Sequence, residues 1–192
     1  MPLRLSFFRT RAVLPLSGVL LFAALVPVAL ASIERLTLRQ MVHKTDGVVY
    51  GEIVDRIVTA VTVFDGAEEL YFTTLHVEGR SLVDGKQAKV AVSFPGGFLD
   101  GERGVDNSEA PSADDQALGN QVIVFYKWSD NMGGGFASNA LYASHGGLFR
   151  TFVTRKGDVV VQGRGTGYAV PFNRTLGPLE TEVREHRATR DK

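Results

Sequence analysis

Val90, Val92 and Phe94 alternate with Lys89, Ala91 and Ser93, the two-residue period of a strand with one buried face. The first three residues are expected inside and Lys89 and Ser93 outside. A β-branched run from Val48 to Val58 predicts a long strand, in which Gly51 signals a bulge or a tight bend. From Tyr71 to Glu78 the pattern puts Tyr71, Thr73, Leu75 and Val77 on one face. The stretch from Gln121 to Trp128 is apolar on both faces, as in a central strand, so Tyr126 and Trp128 are expected in the core. Shorter strands are predicted from Ala140 to Ser144, Leu148 to Thr154 and Asp158 to Gln162. Phe64-Asp65-Gly66-Ala67, Asp84-Gly85 and Lys156-Gly157 supply turns.

Two helices flank the strands. Thr37 and Gln40 have the spacing of a capping box, and Leu38, Met41 and Val42 follow at helical spacing. This helix is expected to stop near Asp46-Gly47 and to cover one opening of a barrel. After Gly177-Pro178, Leu179, Val183 and His186 form a narrow stripe that predicts a weak C-terminal helix, with Arg187 to Lys192 frayed. Short strands with regular turns between them predict a mainly β fold, a small, mostly antiparallel barrel. Glycine supports this, because barrel corners and bulges use it.

The first 31 residues follow a different logic. Arg4, Arg9 and Arg11 precede an uncharged stretch from Ala12 to Leu30, and Ala29-Leu30-Ala31 is an A-x-A cleavage site. This predicts an export signal, with Ser32 as the first mature residue and a periplasmic or extracellular destination. The rival is an uncleaved anchor, against which Pro15, Ser17 and Pro27 weigh. Domain limits follow as 1–31 signal, 32–178 barrel and 179–192 polar helix or tail. Residues 32–192 hold 18 basic and 21 acidic groups, net −3, which argues against nucleic acid as a partner. The chain has no cysteine, which excludes disulfides, thiolate metal sites and cysteine nucleophiles.

Two stretches break the strand rhythm. Pro95 to Asn120 carries six acids against Arg103 alone. Loops of this length inside a domain are functional or disordered. Its Asp100, Glu102, Asp106, Asn107 and Glu109 are candidate calcium ligands, since hard cations take clustered oxygens, though the EF-hand spacing is absent. Ser129 to Asn139 contains Gly133-Gly134-Gly135 and predicts a flexible hairpin loop. His145, before Gly146-Gly147, sits where backbone can approach a ligand closely, and Tyr142 and Phe136, with Tyr126 and Trp128, are candidates for an aromatic binding platform. Serine-nucleophile, phosphate-loop and zinc motifs are missing.

Met41-Val42-His43-Lys44-Thr45-Asp46-Gly47-Val48-Val49-Tyr50-Gly51-Glu52-Ile53-Val54 resembles the helix-to-strand junction of netrin-like, OB-like barrels, the fold of the tissue inhibitors of metalloproteases. Tyr71 to Glu78 and the apolar strand after Gly119 are similar to later strands of that family. Pro95-Gly96-Gly97 and His145-Gly146-Gly147-Leu148-Phe149 resemble a group of uncharacterised bacterial exported proteins over about residues 37–155. The resemblance implies an OB-like barrel and brings no activity. The inhibitors act through an amino-terminal cysteine, which this chain lacks.

The expected function is therefore an exported, non-catalytic binding or interaction module for an unknown protein or surface ligand, with no membrane span after cleavage. Two alternatives stand beside it. One is a metal-assisted hydrolase built on His145 and the acidic loop 100–115, which needs His145 and two loop carboxylates within ~5 Å of each other. The other is a structural envelope-associated protein.

Overall fold

The computed structural model describes residues 35–63, 66 and 68–190. The stretch read as an export signal and most of the Phe64–Ala67 turn lie outside them. The strands are β1 (Gly47–Val63), β2 (Glu68–Ser81), β3 (Gln87–Pro95), β4 (Gly97–Phe98), β5 (Gly104–Val105), β6 (Gln121–Ser129), β7 (Ser138–Leu141), β8 (Leu148–Val153), β9 (Val159–Val161) and β10 (Arg174–Thr175). Helix α1 (Leu38–Lys44) precedes them and α2 (Leu176–Arg190) follows.

Strands β1, β2, β3, β7 and β6 form a ring, closed by pairing of β1 with β6. Four of its seams are antiparallel and the β3–β7 seam is parallel. The ring is mostly antiparallel, as expected, and its one parallel seam has a topological reason. A ring with an odd number of strands cannot alternate direction all the way round, so one pair must run the same way. That seam is short, with Val92 opposite Asn139 and Ser93 opposite Ala140. Beside β7, the same edge of β6 takes β8, and β9 and β10 follow outward.

The strand β6 has two apolar faces because it serves two cores. Val122 and Val124 join Val49, Ile53, Leu75, Val77, Val92 and Phe94 inside the barrel. Val90 packs against this cluster at its margin. Ile123 and Phe125 turn the other way and meet Val48, Phe149 and the helices. The helix α1 contributes Leu38, Met41 and Val42 to this outer core, and α2 contributes Leu176, Leu179 and Val183. Each such side chain gains about 1.5–3 kcal/mol on burial. The helix α1 therefore packs against the outward apolar face of β6 and not over a barrel opening. The apolar surface of β6 is the stronger demand.

Local chemistry sets the helix limits. The hydroxyl of Thr37 accepts from Gln40 N–H at 3.3 Å, and Gln40 Oε1 accepts from Thr37 N–H at 2.9 Å, completing the capping box. The extended Thr45 stops the helix, its hydroxyl donating to Met41 O at 2.8 Å. The helix α2 begins three residues earlier than expected, because Pro178 is tolerated in a first turn. Its end is anchored and not frayed. Arg187 donates to Thr45 O at 3.0 Å, and Arg190 donates to the same oxygen.

The alternation in β3 holds with one correction. Lys89 is exposed and pairs with Glu78 at 2.8 Å. Ser93, expected outside, is fully buried between Thr74 and Ser138, each of whose hydroxyls lies 2.8 Å from its own. A polar side chain on a barrel's outer face loses water when neighbouring strands bring matching hydroxyls beside it.

Candidate functional site

The excursion from Gly96 to Asn120 leaves the barrel between β3 and β6 and builds most of the concave surface. It opens with Gly96 and Gly97 at φ of 99° and 126°. A Cβ on Gly97 would sit 2.3 Å from Thr73 Oγ1, so glycine is required where the chain turns back across the sheet. The small β4–β5 hairpin follows. Asp100 closes its tip by accepting from Arg103 N–H at 2.8 Å, which holds its carboxyl below the usual range.

Polar side chains hold the rest of the excursion in shape. Asn107 donates to Pro95 O at 2.9 Å and accepts from Glu109 N–H at 3.0 Å. Asn120 donates to Asp114 O at 2.7 Å, and Gln116 donates to Pro111 O at 2.5 Å. Buried backbone must find such partners, and side-chain amides supply them. Asp115 is also buried, beside Arg150 and Arg164. The acidic loop is thus an ordered wall.

Between this wall and the sheet lies a cleft of about 500 Å³. Phe94, Phe98, Val105, Ala110 and Leu118 make its apolar surface, and Arg56 stands among them. Phe98 is 44% exposed, Val105 50% and Leu118 62%, so the apolar lining is open to solvent. Arg56 Nε donates to Gln116 Oε1 at 2.9 Å, which ties β1 to the wall. Clefts of this size with a few placed polar groups are the usual form of a ligand site.

The expected site residues are divided among several places. His145 lies in a 3₁₀ turn (Ser144–Gly147) entered through two non-glycine residues in the left-handed region, Ala143 at φ 55° and Ser144 at φ 52°. Such a conformation costs roughly 1 kcal/mol or more per residue and persists only where surroundings enforce it. His145 supplies the enforcement. Its backbone N–H donates to Glu109 O at 3.0 Å. Its Nδ1 lies 3.1 Å from the same carbonyl and its Nε2 lies 2.9 Å from the Tyr168 hydroxyl. A carbonyl only accepts, so Nδ1 carries a proton, and in the neutral ring Nε2 accepts from Tyr168. Both ring nitrogens are occupied in joining three segments.

Phe136 stacks on Phe72 with ring centroids 4.8 Å apart. Tyr142 packs against the outer, helix-side core. These two aromatics therefore serve different surfaces. Trp128, expected in the core, is 52% exposed and donates from Nε1 to Asp130 at 2.6 Å, whereas Tyr126 packs against the barrel interior. Of the calcium candidates, Asp106 and Asn107 line the cleft. Asp100 and Glu102 stand at the exposed β4–β5 tip, and Glu109 Oε2 is 3.5 Å from Ser144 Oγ. Among the described residues no three His, Asp or Glu side chains form a metal-ligand group. No helix among them is long and apolar enough to cross a membrane.

Sequence reasoning missed Arg56, Phe98 and Leu118 at the cleft, and Arg150, Arg164 and Tyr168 near Asp115. They come from four distant segments; only Phe98 and Leu118 fall in the long stretch the sequence singles out, and no local signal marks the other four. Comparison with protein-family models, with curated proteins and with solved structures finds no match to this chain.

Proposed function

We propose that the protein is an exported, non-catalytic binding module on an OB-like barrel, holding an apolar group of its ligand in the cleft between the sheet and residues 105–118. The observation that supports this most is the open apolar lining of Phe98, Val105 and Leu118 on an ordered wall. Exposed apolar surface with a concave form marks a binding site. The occupied ring nitrogens of His145 favour a binding role over the hydrolase, because a general base needs a nitrogen free to take the substrate's proton.

Nile red, an uncharged apolar dye, tests the reading. Saturable fluorescence enhancement by the wild-type protein, lost in Phe98→Asp, is the expected result. A dye signal unchanged by Phe98→Asp removes the cleft. Turnover of nitrophenyl acetate or nitrophenyl phosphate that disappears in His145→Ala replaces binding with catalysis.

A further inference from the structure

Asp115 and Gln116 are adjacent in the wall but face different clefts. Gln116 lines the apolar one, and Asp115 lines a second, polar one of about 290 Å³. Ser112, Arg150, Gln162, Arg164 and Tyr168 complete this second cleft. We propose that it binds a small oxyanion, a carboxylate or a phosphate, on the guanidinium groups of Arg150 and Arg164.

The charge arrangement carries the proposal. Asp115 Oδ1 lies 3.0 Å from Arg150 Nε, and Oδ2 accepts from Arg164 Nη2 at 2.8 Å. One carboxylate thus faces two guanidiniums, a surplus of one positive charge in a domain whose net charge is negative. The carboxylate sits at the back. Its side chain is 10% exposed, against 20% for Arg164 and 35% for Arg150, so the cations stand between it and solvent.

Hydrogen-bond capacity points the same way. Arg164 uses Nε on Leu148 O at 2.8 Å and Nη2 on Asp115. Arg150 meets Asp115 only through Nε, and that contact lacks the direction of a hydrogen bond. Among the described residues nothing accepts from the Nη groups of Arg150. A clamp needs only Arg164, which already joins the wall to β8. Arg150 adds a planar fork with its donors left over, the geometry that recognises carboxylate and phosphate. The Gln162 side chain adds an adaptable amide, while the Tyr168 hydroxyl, its proton spent on His145, lines the cleft without adding a donor.

The test uses the whole protein with isotope-labelled arginine. Sodium phosphate and sodium acetate are titrated separately at constant ionic strength while the arginine Nε–H resonances are followed. The expected result is saturable movement of the Arg150 and Arg164 signals. Tighter saturation by phosphate assigns a phosphate ester as the natural group, and tighter saturation by acetate a carboxylate. Arg150→Gln should raise the apparent Kd at least about tenfold, while Arg155→Gln on the exposed β8–β9 turn leaves it unchanged. Arg150→Lys keeps the charge but loses the fork, and should weaken binding severalfold even if the glutamine variant fails to fold. Shifts that only track salt, or that are equal in Arg150→Lys and the wild type, overturn the proposal and leave a structural ion pair. Nile red binding at the apolar cleft is a separate readout, so the two readings fail independently.

Discussion

Gly51 lies directly opposite Gly79 in the β1–β2 ladder. The strands approach so closely there that a Cβ on Gly79 would sit 2.1 Å from Tyr50 O, and one on Gly51 2.3 Å from Glu78 O. The atoms in the way are backbone, so the sheet itself would have to move. Gly79→Ala should cost about 2 kcal/mol or more in urea denaturation, as overpacking does. Gly177, in the first turn of α2, has open space around it. Gly177→Ala should be neutral or stabilising by about 0.5–1 kcal/mol. Equal losses in the two variants would contradict the close approach.

The register of β3 predicts an ordered series of stabilities. Val92 is fully buried, so Val92→Asp should cost several kcal/mol, on the order of 4. Ser93→Ala leaves Thr74 and Ser138 without their shared partner and should cost roughly 1–2 kcal/mol. Lys89→Asp loses one surface pair and should cost roughly 0.5 kcal/mol. Thermal melts in which Lys89→Asp proves the more damaging of the two would turn the strand over.

Acid should loosen the wall of the clefts. Burial alone would raise the Asp115 carboxyl, but the hydrogen bond and charge of Arg164, with Ser112 and Arg150, outweigh it and hold the carboxyl below its usual value. A depressed carboxylate contributes its full stability above the unfolded value, about pH 4, and loses it as pH falls through the folded one. Asp115→Asn removes the carboxylate from two part-exposed arginines and should cost roughly 1–2 kcal/mol at neutral pH. The gap between variant and wild type should close as the pH drops below about 4. A gap that stays constant across a pH series of urea melts would show that ionisation of Asp115 is not what matters.

Export is checked at the amino terminus. Ala29 and Ala31 suit the small pockets of a signal peptidase, so the mature chain should begin at Ser32. Edman sequencing or intact mass of protein from the periplasm or medium reads this directly. An intact Met1 on exported protein supports the anchor instead.

The strands were legible because a period of two survives in any chain with one face buried, and Val90 to Phe94 display it cleanly. The capping box was legible because Thr37 and Gln40 interact within one turn. What stayed hidden depends on neighbours distant in sequence. Ser93 has the same hydroxyl whether water or Ser138 meets it. Asp115 looks like its acidic neighbour Asp114 until Arg150 and Arg164 arrive from beyond β6. Trp128 continues an apolar run, yet it falls where the strand leaves the covered part of the sheet. The bulge suggested at Gly51 lies slightly further on, between Ile53 and Asp55. Gly51 itself answers a different demand, the close approach of β2.

The clasp between Thr45 and the two arginines of α2 also bears on how the protein is made. Residues 176–190 supply Leu176, Leu179 and Val183 to the same core as α1, so the outer layer stays open until that stretch leaves the ribosome. Every earlier nascent chain exposes the outward apolar side of β6 and can bind holding chaperones. The export proposed above would gain from this order, because the outer layer locks only once residues 176–190 are free to pack.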